Sequence, residues 1–389
     1  MNLAQLNHRY LPRWLELFIY AIAEACIICT DVSQVIGTAI ALNLLIPPLP
    51  LPAACVVSVA DTLLILLFYS PDGELRRVRI FEIFVSLLVC AVFSTLIVAL
   101  TMVSEPTRDV FLGFVPSKEI FVSNGLYDSC AILGGTLMPH AFYVGTSLSR
   151  TRLEDYDVKN GLARPEDECS TTNNTIVTYR PSLGAIKSCL SYSVAELCIT
   201  LFCIAIFVNS ALVIIAGSAF YNNPDTDGSI EDLYNLFSTT ISPIAAVLFA
   251  VSLLFSGVSA GIVATMAGNI VMEGALNIRV SPFLRRLITR CVAIIPAFII
   301  AVSVGEDGLA QALVGCNYVL SIGLVFITFP VIWFTCGNKY MSVTLDDGLG
   351  TVSMKNHWFN SICAWLIWLL VMVMDIATIV LLGLGIGGD

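Results

Sequence analysis

Glu24, Asp31 and Gln34 lie at spacings of seven and three inside one long apolar run. Residues at those intervals share a face of an α-helix, so the run carries two carboxylates and an amide as a stripe pointing into a bundle. A charge held in hydrocarbon costs a few kcal/mol or more. Two carboxylates in one segment therefore point to a path for protons or cations, with a hydrogen-bonded helix contact as the alternative. A second arrangement is Gly134-Gly135-Thr136-Leu137-Met138-Pro139-His140. Proline removes an amide and clashes with the turn before it, and paired glycines loosen that turn. A kinked or broken helix is expected there. Breaks at mid-membrane depth expose carbonyls and helix ends to a solute. The Met138 thioether would be a soft ligand that discriminates against Ca²⁺ and Mg²⁺, and imidazole, here His140, titrates near neutral pH. The alternative is a kink used only for packing.

Other candidates carry less. Asp61, Glu196, Asp375 and Asn209 are in or near apolar runs, each taken singly as structural. Gly257 and Gly261 form a GxxxG pair, most simply a close helix contact. The terminal Gly383-Leu384-Gly385-Ile386-Gly387-Gly388 imitates a phosphate loop, but no helix follows it. His8 and His357 fall near the ends of apolar runs, where solvated or interfacial positions are expected. No Ser/His/Asp arrangement, Walker loop or zinc signature is present, so the sequence offers no basis for an enzyme.

The elements that position these residues follow from composition. Hydrophobic residues make up 57% of the 389 and charged residues 12%. A soluble chain keeps roughly a quarter of its residues charged, so most of this surface must face lipid. The apolar runs are long enough to cross a hydrocarbon core of roughly 30 Å as helix, and without water only helices or closed barrels satisfy the backbone. The runs do not alternate in polarity as barrel strands do. Spans are expected at about 14–46, 53–69, 80–103, 127–148, 189–219, 243–272, 287–304, 311–335 and 358–386. The first run is too long and too acidic for a cleavable signal peptide. Most of the 13 cysteines lie inside these runs, where cysteine behaves as a small hydrophobe. A nine-span arrangement puts 17 of the 19 Lys and Arg on one face, leaving Arg108 and Lys118 on the other. By the positive-inside rule the N-terminus is cytoplasmic. The sequon Asn173-Asn174-Thr175 then falls in a long cytoplasmic loop and is not expected to be glycosylated. The net charge of −10 lies mostly in loops and says little about partners.

Several segments, in order along nearly the whole chain, resemble the Nramp family of proton-coupled manganese and iron transporters, most closely its fungal branch. They are Ala23-Glu24 through Thr30-Asp31 to Asn43, Met138-Pro139-His140, Phe207-Val208-Asn209-Ser210-Ala211, Ala267-Gly268 leading to Met272-Glu273-Gly274, and Arg285-Arg286-Leu287-Ile288-Thr289-Arg290. The resemblance implies an all-α, LeuT-like inverted-repeat bundle of about nine transmembrane helices. It makes Met138 the thioether ligand of the metal and Gly135, where alanine is common, the provider of a backbone carbonyl. Asn317 stands where a glutamine is usual. The implied proton route comprises His140, Glu24, Asp31, Arg152 and Arg286, with Arg285 adjacent. Gln34 replaces a common glutamate and Val258 a common glutamine.

The family's first broken helix carries an Asp-Pro-Gly-Asn motif that binds the metal, and no such motif occurs here. The chain is expected to lack the first two family helices. Residues 1–150 would then be the remainder of the first repeat (family helices three to five) plus the broken helix, 151–188 a cytoplasmic loop, and 189–389 the remaining bundle. The expected function is proton-coupled transport of Mn²⁺ or Fe²⁺, with other divalent transition metals also suited, impaired here by loss of that carboxylate. The alternatives are a non-transporting or regulatory protein on the same scaffold, and an organic-solute carrier, which Met138-Pro139-His140 argues against. The expected partners are metal ions, protons and the lipid bilayer of a plasma, endosomal or vacuolar membrane, with no resident cofactor and no nucleic acid.

Overall fold

A computed structural model describes residues 1–58, 75–102, 106–121, 124–162, 181–220, 229–277, 281–344 and 350–384. Asp61, the sequon and the last glycines of the terminal run lie outside these residues, as does the side chain of Arg286. The helices are α1 (Leu3–Tyr10), α2 (Arg13–Leu45), α3 (Leu51–Val57), α4 (Leu75–Thr101), α5 (Thr107–Leu112), α6 (Gly125–Thr136) and α7 (Ala141–Lys159). There follow α8 (Leu183–Phe220), α9 (Ile230–Thr240), α10 (Pro243–Leu276), α11 (Pro282–Ser303), α12 (Glu306–Cys336) and α13 (Trp358–Gly383). One short antiparallel hairpin pairs Ser342–Thr344 with Thr351–Ser353 between α12 and α13.

Local chemistry sets the ends. The Ser242 hydroxyl accepts from the Ala245 amide and Pro243 occupies the first turn of α10, where its missing N–H costs nothing. That helix stops at Asn277, whose φ of 54° is a left-handed cap that asparagine tolerates. Ser281 and Pro282 repeat the same start for α11. Gly305, at φ 84°, makes the turn into α12, a conformation a side chain would resist. Pro47 and Pro48 follow the end of α2.

Among the described residues, five helices are long and apolar enough to cross a membrane: α2, α8, α10, α12 and α13. Shorter apolar stretches, Val89–Thr101 and Leu287–Ser303, lie in α4 and α11. The expected span 127–148 is two helices, α6 and α7, and 53–69 falls mostly outside the described residues. Within the stretch 151–188, α7 runs on to Lys159 and α8 begins at Leu183.

The centre of the bundle is α2, packed against α10, α12 and α11. Small residues bring the axes close: Gly257 of α10 faces the Thr38 hydroxyl, and Ala264 and Ala267 are fully buried. Of the GxxxG pair, Gly257 makes a helix contact, and Gly261 is buried. Outward faces remain apolar. Ile367, Leu370 and Ile376 of α13 are each more than half exposed, a surface suited to lipid and not to water.

Candidate functional site

The expected interruption is present. Helix α6 ends at Thr136, capped by the Leu137 amide donating to the Leu133 carbonyl, and α7 begins after His140. Pro139 is four residues beyond Gly135, so the Gly135 carbonyl faces a residue with no N–H to give. The chain resumes with the Ala141 amide donating to the Met138 carbonyl at 3.0 Å. Burial varies along this segment: Asp128 and Thr136 are exposed, Gly135 and Met138 half-buried, and Gly134, Pro139 and His140 buried.

The break opens onto a cavity of about 870 Å³ walled by α2, α6, α8, α10 and α12. Met138, Gly135 and Asn317, the three residues expected to meet a metal, all line it. Gly134 lets α6 approach α12 so closely that a Cβ there would collide with the Asn317 carbonyl and the Ser321 amide. At Gly135 a Cβ would lie 3.2 Å from Asn317 Cγ and Nδ2, so the shorter amide and the missing methyl fit one another. Gln34 and Asn209 add amides to the wall, with hydroxyls from Thr30 and Ser33. Asn209 was taken as structural from the sequence; the fold turns it onto the cavity. Residues Thr200–Ala205 of α8 form a π-helical turn, and Ile204 and Ala205 within it line the same space. Such turns re-aim a helix face and recur at functional sites.

The stripe on α2 divides. Gln34 faces the cavity, whereas Glu24 turns to α11. There the Arg285 Nη2 donates to Glu24 Oε1 at 2.7 Å and Oε2 at 2.6 Å, and Nη1 approaches Met272 Sδ at 3.2 Å. Gly268 cradles the guanidinium, since a Cβ would strike it. Asp31 is buried, and so is His140, whose ring nitrogens have no hydrogen-bond partner among the described residues. Glu24, Asp31, Arg285 and His140 thus sit in or beside the bundle's core. Arg152 does not join them: it pairs with Glu196 at 2.6 Å on the outer face of α7 and α8, with both side chains nearly half exposed. Val258 is buried and is not on the cavity wall.

Three polar residues escaped the sequence argument. Arg290 is fully buried and donates to the Asp31 carbonyl at 3.4 Å and the Ser58 carbonyl at 3.3 Å. Its signal was a basic residue two turns into an apolar helix. Glu16 is buried against Arg13 and His8, both at 2.8 Å, which also ties down His8. Asp128 lies at the cavity; its signal was an acid at the start of the expected span 127–148.

Comparison with known proteins agrees with this geometry. The family model described as Nramp, natural resistance-associated macrophage protein-like, matches residues 1–381. The manganese transporter SMF1 of Saccharomyces cerevisiae is 38% identical over 437 residues, covering 100% of this chain and 76% of the relative. The manganese transporter pdt1 of Schizosaccharomyces pombe is 41% identical over 396 residues, covering 99% and 74%. The iron transporter SMF3 of Saccharomyces cerevisiae is 41% identical over 352 residues, covering 90% and 72%. Among solved structures, the Eremococcus coleocola manganese transporter in complex with an aromatic bis-isothiourea substituted compound superposes with a TM-score of 0.72 at 25% identity, over 97% of this chain and 74% of that one.

Proposed function

This chain belongs to the Nramp family, and on that premise we propose that it carries divalent transition-metal ions, Mn²⁺ or Fe²⁺, across a membrane together with protons. One observation carries the reading: the interrupted helix brings Met138, Gly135 and Asn317 to a single cavity. A carbonyl stripped of its helical donor and an amide oxygen are hard ligands, while the thioether adds softness that favours transition metals over Ca²⁺. The remaining features are read in the same frame. The chain spans the membrane nine times from a cytoplasmic N-terminus. Its two halves derive from inverted repeats that rock about the site. Protons travel by way of His140, Asp31, Glu24 and the arginines 285 and 286, with Arg152 serving the mouth of that route.

The donors nearest the break are neutral, and a dication in a low-dielectric cavity is poorly held without an anion. We therefore take these 389 residues to be a slow carrier. The second reading, a non-transporting protein on the same scaffold, draws its support from Gln34, an amide that cannot release a proton on the cavity wall.

Binding tests the site. The protein in lipid nanodiscs is expected to bind Cd²⁺ more tightly than Mn²⁺, and Met138→Ala to remove most of that preference. A wild-type protein that binds neither ion would overturn the proposal. Transport then separates the two readings. Saturable Mn²⁺ uptake into proteoliposomes, stimulated by an inward proton gradient, supports the carrier. Binding without uptake under any gradient supports the inert scaffold.

A further inference from the structure

The lining of this cavity contains one ionisable side chain among the described residues, Asp128. It accepts no hydrogen bond and joins no ion pair among those residues. Asp128 precedes Gly135 by seven residues on α6. Seven residues are close to two full turns, so the two share a face, about 10.5 Å apart along the axis at 1.5 Å per residue. Of the cavity-lining residues on this segment, Asp128 is exposed and Gly135 and Met138 are half-buried. Among the described residues no lysine or arginine lines the cavity.

We propose that Asp128 is the cation-capture residue of this cavity: it draws a divalent metal ion to the mouth and hands it down the face of α6 to Gly135 and Met138. This rests on the metal-carrying function proposed above. The physical case is that an uncompensated carboxylate in a low-dielectric cleft focuses its field along the open direction and raises the local concentration of cations. The walls beyond it offer only neutral donors, so the attraction at long range comes from this one group. A carboxylate with an internal cation partner would be a structural element, as Glu24 is beside Arg285. Asp128 has none among the described residues, and its oxygens stay available to an arriving ion. The residue acts on capture and affinity, while Met138 acts on the choice among metals.

The test is Mn²⁺ and Cd²⁺ titration of the whole chain in nanodiscs of zwitterionic lipid, at low and at high salt. Asp128→Asn is expected to weaken binding of both ions alike, on the order of tenfold at low salt, with a smaller loss at high salt where screening already mutes the field. Asp128→Glu should restore most of the affinity. Asp109→Asn, which removes an equal charge from the exposed helix α5, should bind as wild type does. Met138→Ala should change the Cd²⁺ to Mn²⁺ ratio and leave the salt dependence in place. Wild-type affinity in Asp128→Asn at both salt concentrations would overturn the inference while leaving the metal site standing. A change in metal preference with no change in salt dependence would also overturn it. Failure of the wild type to bind either ion would instead defeat the function on which the inference depends.

Discussion

Two polar regions of this bundle, both built on glycine and on long side chains, are finished in opposite ways. Between α2, α10 and α11 the Glu24 carboxylate takes two hydrogen bonds from Arg285, whose guanidinium fills the space that Gly268 leaves. At the break between α6 and α7 the Gly135 carbonyl has lost its donor to Pro139, the Met138 sulfur lines an open cavity, and Asn317 leans over Gly135. The first region spends its polar groups on one another. The second leaves them facing a space. Stability should therefore be sensitive in the first and ligand binding in the second.

The comparison is broken most severely at Arg285. Removing one partner of a buried pair strands the other charge, at roughly 3 kcal/mol. Arg285→Leu should lower the unfolding temperature of the nanodisc-embedded protein by many degrees, and adding Glu24→Gln should recover much of the loss. A single variant as stable as wild type would show that the pair is not structural. Next comes Gly134→Ala, where the new methyl must force α6 away from the Asn317 carbonyl and the Ser321 amide. Overpacking of that kind costs about 1–3 kcal/mol. Calorimetry should register the drop, and Cd²⁺ affinity should fall with it because Gly135 and Asn317 move apart.

Pro139→Ala sharpens the contrast, since it supplies an N–H four residues after Gly135. Stability should hold or rise while metal affinity falls about tenfold, roughly 1.4 kcal/mol. A loss of stability with unchanged binding would reverse the assignment of the two regions. The smallest effect belongs to Arg152→Gln, which cuts an ion pair that is nearly half exposed. Such pairs are worth about 0.2–1 kcal/mol, so thermal unfolding should barely shift. A loss of proton-stimulated uptake in this variant would nevertheless uphold its place on the proton route.

Much of this was legible beforehand because the causes are local. Pro139 cannot donate wherever it sits, so the helix break at Met138 needed no tertiary information. The apolar runs likewise announce their own solvent. Interhelical register was not legible. The sequence presents Arg285 and Arg286 side by side, and the fold brings Arg285 to Glu24. The regular spacing of Glu24, Asp31 and Gln34 suggested one stripe, yet the first faces α11 and the last faces the cavity. A helix surrounded on most sides offers several inward faces, and periodicity alone does not say which neighbour each one meets.

The sequence by itself determined that this chain lives in lipid as a helical bundle, that one helix is interrupted at Met138, and that its motifs follow the Nramp order. The first two depend on composition or on groups a few residues apart, and the third on a resemblance to a known family. Only the tertiary structure decided which polar groups are consumed by a partner and which remain open to a ligand. That distinction is made by the approach of segments more than a hundred residues apart, as with Glu24 and Arg285 or Gly135 and Asn317. The free energy of a charge or a carbonyl depends on what it finally touches, and the order of residues along the chain does not contain that.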